Sequence, residues 1–370
     1  MKVLVITNDI SQGGGEKLLA SSLPIFKKKG IDISLLLLNA KGSVPAFLSN
    51  IKNAGITIHD LRINNFYNPL CAWKIRAFLE ANSYDVVHVH LFPALYWASL
   101  AVSLMKEKPV LIFTEHSNHN KRRDKKYLQE IERAAYKPYS AIIAITDSVR
   151  EKLSNWIGQS SKIQTINNGV DLSTIANAPK HDRSVLCSEL NIPVNAKLML
   201  MAASFRYPKD QAALIKACAI LGEGHHVLLA GEGELKEKSQ ALAVQCGVGN
   251  RVHYLGFRTD ISSLMKTVDL NVLSSAYEGM SGVTLESLAA AVPFLGSDVA
   301  GIREIVPGKS FLFAPGDEHD LANKIAPIFQ NPELSARMAN EATAFVRSFD
   351  MEYMVDKYIL LYKSLLNRHI

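Results

Sequence analysis

The stretch LNVLSSAYEGMSGVTLESLAAAVPFLGS, residues 270–297, decides the fold. It opens with a short apolar, β-rich run at 270–275 and closes with a second such run at 294–297. Between them lie a loop with two glycines and a helical pattern. Two β-rich runs joined by a helix predict neighbouring parallel strands. The loop EGMSG, at 278–282, therefore follows the carboxyl end of a strand and precedes a helix.

Runs of this kind alternate with helical patterns along the whole chain. They fall at 2–7, 33–38, 85–90, 110–116 and 141–146 in the first half, and at 198–204, 226–231, 252–256, 270–275 and 294–297 in the second. Strands separated by helices predict parallel sheets with helices on both faces, and two such series predict two doubly wound α/β domains. Ligands of such folds bind beyond the carboxyl ends of the strands, so we expect a site in a cleft between the domains.

A chain of 370 residues is longer than a domain with a single hydrophobic core usually is, which also favours two domains. Turn residues and prolines at 168–197 indicate the boundary. The predicted division is a first domain over 1–180 and a second over 181–352. The last stretch, about 353–370, has the periodicity of an amphipathic helix that can pack back onto the first domain or against the second.

Composition indicates a globular protein, with 48% hydrophobic and 21% charged residues. The apolar N-terminal run is too short for a signal peptide. The uncharged run 86–105 contains His88, His90 and Pro93, which favours a buried strand and helix over a membrane span. The four cysteines form no CxxC pair, which favours reduced thiols of a cytoplasmic protein over zinc or disulfides.

The net charge of +6 is unevenly distributed. Residues 1–180 hold 23 Lys and Arg against 14 Asp and Glu, whereas 181–370 hold 18 against 21. The cations concentrate at Lys27–Lys29 and in the run 121–126. They are either solvated faces or contacts for an anionic partner, such as a phosphorylated acceptor or an anionic membrane surface. Nucleic acid is not expected, because no recognisable binding motif accompanies the charge.

Two carboxylates, Glu278 and Glu286, flank the start of the predicted helix after 270–275. Glycines there let backbone N–H groups approach a ligand, and a helix N-terminus favours an anion. Carboxylates accept hydrogen bonds from sugar and ribose hydroxyls. The pattern thus indicates a ligand with hydroxyls and an anionic group. The alternative reading makes Glu278 a helix-capping acid and Glu286 a solvated helix residue.

The pattern E-G-x6-E at 278–286 resembles the E-x7-E signature of the family-4 retaining glycosyltransferases of the GT-B fold, also called group 1. Further segments resemble the family in the same order along the chain. They are GGGEK (13–17), DVVHVH (85–90), TEH (114–116), NNGVD (167–171), FRYPKDQAALIKA (205–217), LAGEGE (229–234), YLGFRTD (254–260) and SDVAGIREIV (297–306). The resemblance spans nearly the whole chain and implies two Rossmann-like domains facing a cleft.

The resemblance also implies roles for individual residues. Glu278 would contact the donor sugar, and Glu286 would accept hydrogen bonds from the ribose hydroxyls. Fixed cations and backbone donors lower the barrier to releasing a diphosphate. The residues implied in this are Arg206, Lys209 and the backbone of Ser281, Gly282, Val283 and Thr284.

Three further positions are implied by the same resemblance. His116 would lie near the hydroxyls of the reacting sugar, Gly13 and Gly14 would shape the acceptor side opposite the diphosphate, and Phe257 would flank the base. Without the family context, the simpler interpretation is that His116 is a partly buried histidine whose ring nitrogens are hydrogen-bonded within the protein. No metal and no cofactor are implied, because lysine and arginine supply the positive charge.

The sequence departs from the family pattern at two places. The family loop usually carries glycine and proline where this chain has Ser281 and Val283, which leaves the donor sugar open. Ser204 stands at the position where the family usually has arginine, so the two cations are assigned to Arg206 and Lys209. In the alternative interpretation, Arg206 and Lys209 are surface residues that precede the start of a helix.

We therefore predict a retaining glycosyltransferase that moves a hexose or N-acetylhexosamine from a nucleotide-sugar, with UDP expected on family grounds. The acceptor would be a glycan or lipid-linked acceptor in surface polysaccharide or glycolipid synthesis, used in the cytoplasm at the inner face of the cell membrane. The alternatives are a nucleotide-sugar epimerase of the same fold, a non-catalytic nucleotide-sugar-binding protein and a two-domain oxidoreductase. The GGGEKL stretch lacks the G-x-G-x-x-G dinucleotide fingerprint, which counts against the oxidoreductase.

Overall fold

A computed structural model of the protein describes residues 1–11, 13–117, 122–158 and 160–367. The chain divides into two compact units. The first comprises Met1–Gly169 together with Met351–Ile370, and the second comprises Val170–Asp350.

The first unit is built on a parallel sheet. Its strands, within the described residues, are β1 Lys2–Thr7, β2 Asp32–Leu37, β3 Thr57–Asp60, β4 Val86–His90, β5 Val110–Glu115, β6 Ala141–Ala144 and β7 Ile163–Thr165. They lie in the order β3-β2-β1-β4-β5-β6-β7. β1 pairs with β2 from Lys2↔Asp32 onward and with β4 from Val3↔Val86 onward. Strands β2 and β3 are added on one side of β1, whereas β4 to β7 are added on the other side. The strand order therefore reverses between β1 and β4.

Helices cover both faces of this sheet. They are α1 Gly14–Lys28, α2 Pro45–Asn53, α3 Leu70–Ala81, α4 Ala94–Ser103, α5 Gln129–Tyr136 and α6 Asp147–Ile157. Right-handed crossovers place α1 and α2 on one face and α3 to α6 on the other. The contacts agree, since α1 packs on α2, and α3, α4, α5 and α6 pack in succession. Helix α6 shows local determinants at both ends: Thr146 accepts from the Val149 amide, and Gly158 follows in the left-handed region at φ 70°.

The second unit repeats the architecture with a smaller sheet. Its strands, within the described residues, are β8 Lys197–Ala202, β9 His225–Ala230, β10 Val252–Gly256, β11 Leu270–Leu273, β12 Phe294–Ser297 and β13 Leu312–Phe313. They are parallel, in the order β10-β9-β8-β11-β12-β13. Here the reversal falls between β8 and β11.

The helices of the second unit begin mostly at polar caps. They are α7 Leu172–Asn177, α8 Arg183–Glu189, α9 Gln211–Leu221, α10 Lys236–Gln245, α11 Ile261–Thr267, α12 Gly282–Ala289, α13 Ala300–Arg303, α14 Glu318–Gln330 and α15 Pro332–Val346. Asp210 caps α9 by accepting from the Ala213 amide, and Ser281 caps α12 by accepting from the Thr284 amide. The predicted doubly wound α/β class is confirmed in both units.

The last helix, α16 Met351–Leu366, belongs to the first unit, where it packs against α1. Its apolar stripe is buried in the first unit's core, as the helical spacing requires. The buried residues of the stripe include Met351, Met354, Tyr358, Leu361 and Leu365. Across the described part of the chain, no helix is both long enough and apolar enough to traverse a bilayer.

Candidate functional site

The carboxyl ends of β8 and β11 provide the main candidate site in the second unit. These strands are neighbours, and the strand order reverses between them. Chains leaving two such strands diverge to opposite sides, which opens a crevice where ligands of doubly wound folds bind. The loop after β8 carries Arg206 and Lys209, and the loop after β11 carries Glu278 and Ser281.

Backbone hydrogen bonds join the two loops. The Asp210 amide donates to the Ser274 carbonyl at 3.0 Å, and the Ala276 amide donates to the Pro208 carbonyl at 2.8 Å. Because Asp210 also caps α9, the first loop is anchored at its far end as well. The side chains between these bonds are therefore held in fixed relative positions.

Lys209 and Glu278 form an ion pair, with Lys209 Nζ against Glu278 Oε1. Their side chains are only 17% and 12% exposed, so solvent screens the pair weakly. The helix that follows is capped by Ser281, with the Thr284 amide donating to Ser281 Oγ at 3.3 Å. Glu278 thus holds a cation in place, and the reading in which it caps the helix is wrong.

The N-terminus of α12 opens at the same place. The first N–H groups of an α-helix lack intrahelical acceptors and carry partial positive charge, which suits an anion. Gly282 is exposed, and a Cβ there would meet nothing within 4 Å. Thr284 Oγ1 is buried and has no hydrogen-bond partner among the described residues. Glu286 lies one turn further along the helix and is partly exposed.

Gly301 allows a close backbone approach against the Glu278 loop. A Cβ at position 301 would lie 2.5 Å from the carbonyl oxygens of both Glu278 and Gly279. The Ser281 amide donates to the Gly301 carbonyl at 3.3 Å. Glycine is therefore required here by space, and the start of α13 fixes the loop from a second side.

The loop after β9 supports the Lys209 loop in a similar way. Gly231 and Gly233 have φ of 150° and 153°, which favours glycine, and Cβ atoms there would lie 2.1 and 2.4 Å from the carbonyl oxygens of Ala203 and Phe205. The Phe205 amide also donates to the Glu232 carbonyl at 3.0 Å. The GEGE stretch thus supports the neighbouring loop by close packing.

Two tyrosines, which sequence reasoning missed, stand beside the ion pair. Tyr207 and Tyr277 form an edge-to-face pair with ring centroids 5.5 Å apart, and Tyr207 is 68% exposed. Tyr207 lies between the candidates Arg206 and Lys209 in the segment RYPK, and Tyr277 directly precedes Glu278. The sequence signal that could have identified them is the presence of a tyrosine next to a candidate residue in both loops. Arg206 and Phe257 are exposed at the same edge, Phe257 by 63%.

His116 follows β5 at the carboxyl edge of the first sheet. Its Nε2 is hydrogen-bonded to Nδ1 of His90 at 2.9 Å. Its Nδ1 is buried and has no partner among the described residues. Burial lowers the pKa of His116 to about 4, so the imidazole is neutral near pH 7. The His116 ring lies against Gly15, where a Cβ would be 3.5 Å from it.

The start of α1 lies beside this histidine. Gly13 occupies the cap position and contributes no capping side chain, and Gly14 is exposed with open space around it. Uncapped N–H groups at a helix start can bind an anion or a hydroxyl oxygen. The structure therefore brings Gly13, Gly14 and His116 together within the first unit.

His88, in contrast, is fully occupied by structural contacts. Its ring nitrogens are hydrogen-bonded to the Tyr362 hydroxyl and to Thr114 Oγ1, each at 2.7 Å. Burial lowers its pKa to about 3. In the ranges described, no cluster of three or more His, Cys, Asp or Glu residues is arranged to hold a metal ion.

Comparison with known proteins identifies the chain. Residues 183–345 match the sequence model of the family described as glycosyl transferases group 1, and residues 12–174 match that of glycosyltransferase family 4. The chain belongs to the group 1 glycosyltransferases. Both the resemblance and the GT-B fold predicted from the sequence are confirmed.

This glycosyltransferase has relatives that act on different acceptors. It is 24% identical over 325 residues to the N-acetyl-α-D-glucosaminyl L-malate synthase of Bacillus anthracis, covering 84% of each chain. It is 22% identical over 360 residues to a Campylobacter jejuni enzyme, covering 94% of this chain and 96% of the other. That enzyme is named N-acetylgalactosamine-N,N'-diacetylbacillosaminyl-diphospho-undecaprenol 4-α-N-acetylgalactosaminyltransferase.

Among solved structures, HepE of Anabaena in complex with UDP and glucose matches the glycosyltransferase with a TM-score of 0.84. The match covers 98% of this chain and all of HepE at 21% identity, which establishes the shared fold.

Proposed function

We propose that this glycosyltransferase transfers a hexose or N-acetylhexosamine from a UDP-sugar to a lipid-linked glycan acceptor, with retention of configuration and without a metal. One observation carries the proposal. A sheltered Lys209–Glu278 ion pair stands beside the N-terminus of α12, at the strand-order reversal of the second unit.

This arrangement suits a nucleotide diphosphate that leaves with its negative charge. Lys209 supplies a fixed cation, the first N–H groups of α12 supply backbone donors, and exposed Arg206 adds a second cation. These groups supply positive charge where another enzyme would use a divalent ion. Removing one preorganised donor of this kind typically costs about 3 kcal/mol of barrier, or roughly a hundredfold in rate.

The carboxylates suit the sugar parts of the donor. Glu278 is held by Lys209 and by backbone contacts on two sides of its loop, so it presents its free oxygen in a fixed direction. We assign Glu278 to a hydroxyl of the transferred sugar and Glu286, one helical turn beyond the α12 N-terminus, to the ribose hydroxyls. Exposed Phe257 is assigned to the base.

The first unit is assigned to the acceptor side. His116 is neutral, so its unpartnered Nδ1 can accept a proton in a hydrogen bond from a sugar hydroxyl or donate one. The N-terminus of α1, at Gly13 and Gly14, offers donors to an oxygen of the acceptor or its phosphate. Retention is proposed on family grounds, with an oxygen of the departing diphosphate taking the acceptor's proton.

The named relatives support the choice of donor and acceptor. UDP and glucose are bound in HepE, and an undecaprenol diphosphate carries the acceptor of the Campylobacter jejuni enzyme. The Bacillus anthracis relative uses L-malate, a small acceptor, so the acceptor class needs its own test.

Thermal unfolding with a panel of UDP-, GDP- and ADP-sugars tests the donor. A donor at ten times its Kd or more should stabilise the protein by more than about 1.4 kcal/mol. We expect this for a UDP-sugar only. Transfer of a radiolabelled sugar to polyprenyl-diphosphate glycans should follow, in EDTA as well as in magnesium, and NMR of the product should show the donor's anomeric configuration.

The same assays separate the alternatives. An epimerase would convert the UDP-sugar without any acceptor, and a binding protein would be stabilised by it without turnover. A loss of transfer in EDTA would contradict the metal-free proposal, and an inverted product would contradict retention.

A further inference from the structure

An exposed apolar surface lies at the carboxyl edge of the first sheet. Tyr67, Leu70 and Trp73 are 69%, 60% and 56% exposed, and Tyr127 and Ile131 are 71% and 55% exposed. We call these five residues the edge surface. Single exposed apolar side chains are ordinary, but several large ones on one side of a unit mark an interaction site.

The topology places the five residues together. Tyr67, Leu70 and Trp73 follow the carboxyl end of β3 and begin α3, whereas Tyr127 and Ile131 follow that of β5 and begin α5. Helices α3, α4 and α5 lie side by side on one face of the sheet. All five residues therefore lie at the same edge and on the same face.

Phe92, in the loop after β4, lies between the two groups. Its ring centroid is 5.9 Å from that of Tyr67, and the Arg122 guanidinium lies 4.0 Å over the same ring. Arg122 leads directly into the segment that carries Tyr127. The edge surface is thus continuous from one helix start to the other.

Charge around the edge surface is predominantly positive. Lys125 and Lys126 are exposed beside Tyr127, and Lys74 is exposed beside Trp73. Asp124 is also exposed there, and exposed Glu130 is paired with Arg133 at 2.6 Å.

The cations available here differ from those that the sequence indicated. Arg122 is paired with buried Glu132 at 2.6 Å, and Arg123 with buried Glu115 at 2.8 Å, so neither is available to a partner. Position 121 lies outside the described residues. Among the described residues of this run, 122–126, the surface cations are therefore Lys125 and Lys126.

The other basic spot lies elsewhere. Lys27–Lys29 end α1, which runs back from the carboxyl edge and covers the opposite face of the sheet. Lys28 and Lys29 contact Glu352 and Asp356 of α16 at 3.7 and 2.8 Å. The two basic spots therefore lie on opposite faces of the sheet, and of the two only the 121–126 run borders the edge surface.

We propose that the edge surface docks on an anionic lipid bilayer. Tyrosine and tryptophan prefer the bilayer interface, where an apolar ring meets polar headgroups. Lysines near an anionic leaflet add about 1 kcal/mol each, whereas lysine is depleted in protein–protein interfaces. The combination of exposed aromatic residues and flanking lysines thus favours a bilayer over another protein.

Docking there would serve the acceptor, and this step rests on the proposed function. His116 and the α1 N-terminus lie at the same carboxyl edge of the same sheet as the edge surface. A bilayer held against that edge presents a lipid-linked diphosphate to the acceptor side, while its lipid tail stays in the membrane.

Vesicle flotation of the full-length protein tests the docking. The protein should float with vesicles of phosphatidylcholine and phosphatidylglycerol, and much less with phosphatidylcholine alone. The double variant Trp73→Ser/Tyr127→Ser should lose at least about tenfold in partitioning, and Lys125→Gln/Lys126→Gln about fivefold per lysine. All four positions are exposed, so the fold should survive.

The matched control is Tyr353→Ser/Leu360→Ser, which removes two side chains of α16 that are 53% and 66% exposed on the opposite face. It should float like the original protein. Absence of flotation with anionic vesicles, or equal loss in the control and the edge variant, would overturn the proposal. Self-association through Trp73 in place of vesicle binding would also overturn it.

The outcome is independent of the donor assignment. Edge variants should keep the thermal shift with the UDP-sugar, because that site lies in the second unit. If no nucleotide-sugar stabilises the protein but flotation still depends on Trp73, the proposed function fails and the docking surface stands. If the donor binds and flotation is absent, the docking proposal alone fails.

Discussion

Replacing Gly301 by alanine tests how the Glu278 loop is held. The new Cβ would lie 2.5 Å from the carbonyl oxygens of Glu278 and Gly279. The closest favourable C···O contacts are about 3.3–3.6 Å, so the loop or the start of α13 must move by about 1 Å. Overpacking of this kind typically costs about 1–3 kcal/mol.

The consequences of Gly301→Ala should appear in stability and in activity. For a unit of this size each kcal/mol shifts Tm by about 2–4 °C, so Tm should fall by about 2–12 °C. A 1 Å displacement of Glu278 should lower kcat/KM for the donor by about a hundredfold. Thermal unfolding and initial-rate kinetics with the UDP-sugar measure both effects.

Gly282→Ala is the matched control for stability, because it adds the same methyl group at the start of α12, where a Cβ would meet nothing within 4 Å. Its Tm should stay within about 2 °C, since surface substitutions cost under about 0.5 kcal/mol. If Gly301→Ala unfolds and reacts like the original protein, or if Gly282→Ala lowers Tm equally, the close approach does not position Glu278.

Three further variants test individual assignments. Lys209→Met should lower kcat by about a hundredfold to a thousandfold in the transfer assay, because the departing diphosphate loses a cation; an unchanged kcat would remove Lys209 from the site. Glu286→Gln should raise KM for the UDP-sugar with little change in kcat, because a ribose contact is made equally in the ground state and the transition state; a fall in kcat alone would contradict that role. For His88, burial lowers the pKa to about 3, so from about pH 7 to about pH 5 the unfolded chain binds a proton that the folded chain does not. Stability should therefore fall by about 2 kcal/mol over that range through this residue, and urea unfolding of His88→Gln should show a flatter pH dependence; an equally steep one would place the titrating group elsewhere.

The interior of each sheet could be predicted from the sequence. All ten predicted strands are present, because buried parallel strands read as continuous apolar runs. Each strand that was not predicted lies at an end of its sheet. These strands are β3 Thr57–Asp60, β7 Ile163–Thr165 and β13 Leu312–Phe313. The fourth end strand, β10, was predicted. They are short, and β3 and β7 are partly exposed, so their apolar signal is weak.

The candidate site was predictable only as a set of residues. The spacing of Glu278 and Glu286 and the family resemblance indicated the residue types, but the Lys209–Glu278 pair depends on two loops that are 69 positions apart in sequence. The role of Gly301 in supporting Glu278 could not be predicted either, since only tertiary packing shows which atoms a Cβ at position 301 would contact. The positive charge that the run 121–126 offers to a partner was overestimated for the same reason. Arg122 and Arg123 pair with acidic residues whose positions in space cannot be predicted from composition.

Binding of UDP, measured by isothermal titration calorimetry, tests the central claim that Lys209 and its surroundings hold the donor diphosphate. We predict that the original protein binds UDP, and that Lys209→Met binds it about tenfold to a hundredfold more weakly, since a charge-assisted hydrogen bond is worth about 1.5–3 kcal/mol. Lys216→Met is the matched control, because Lys216 is paired with Glu318 on the surface at 3.3 Å, and it should bind UDP unchanged. Equal UDP affinity of Lys209→Met and the original protein would contradict the account.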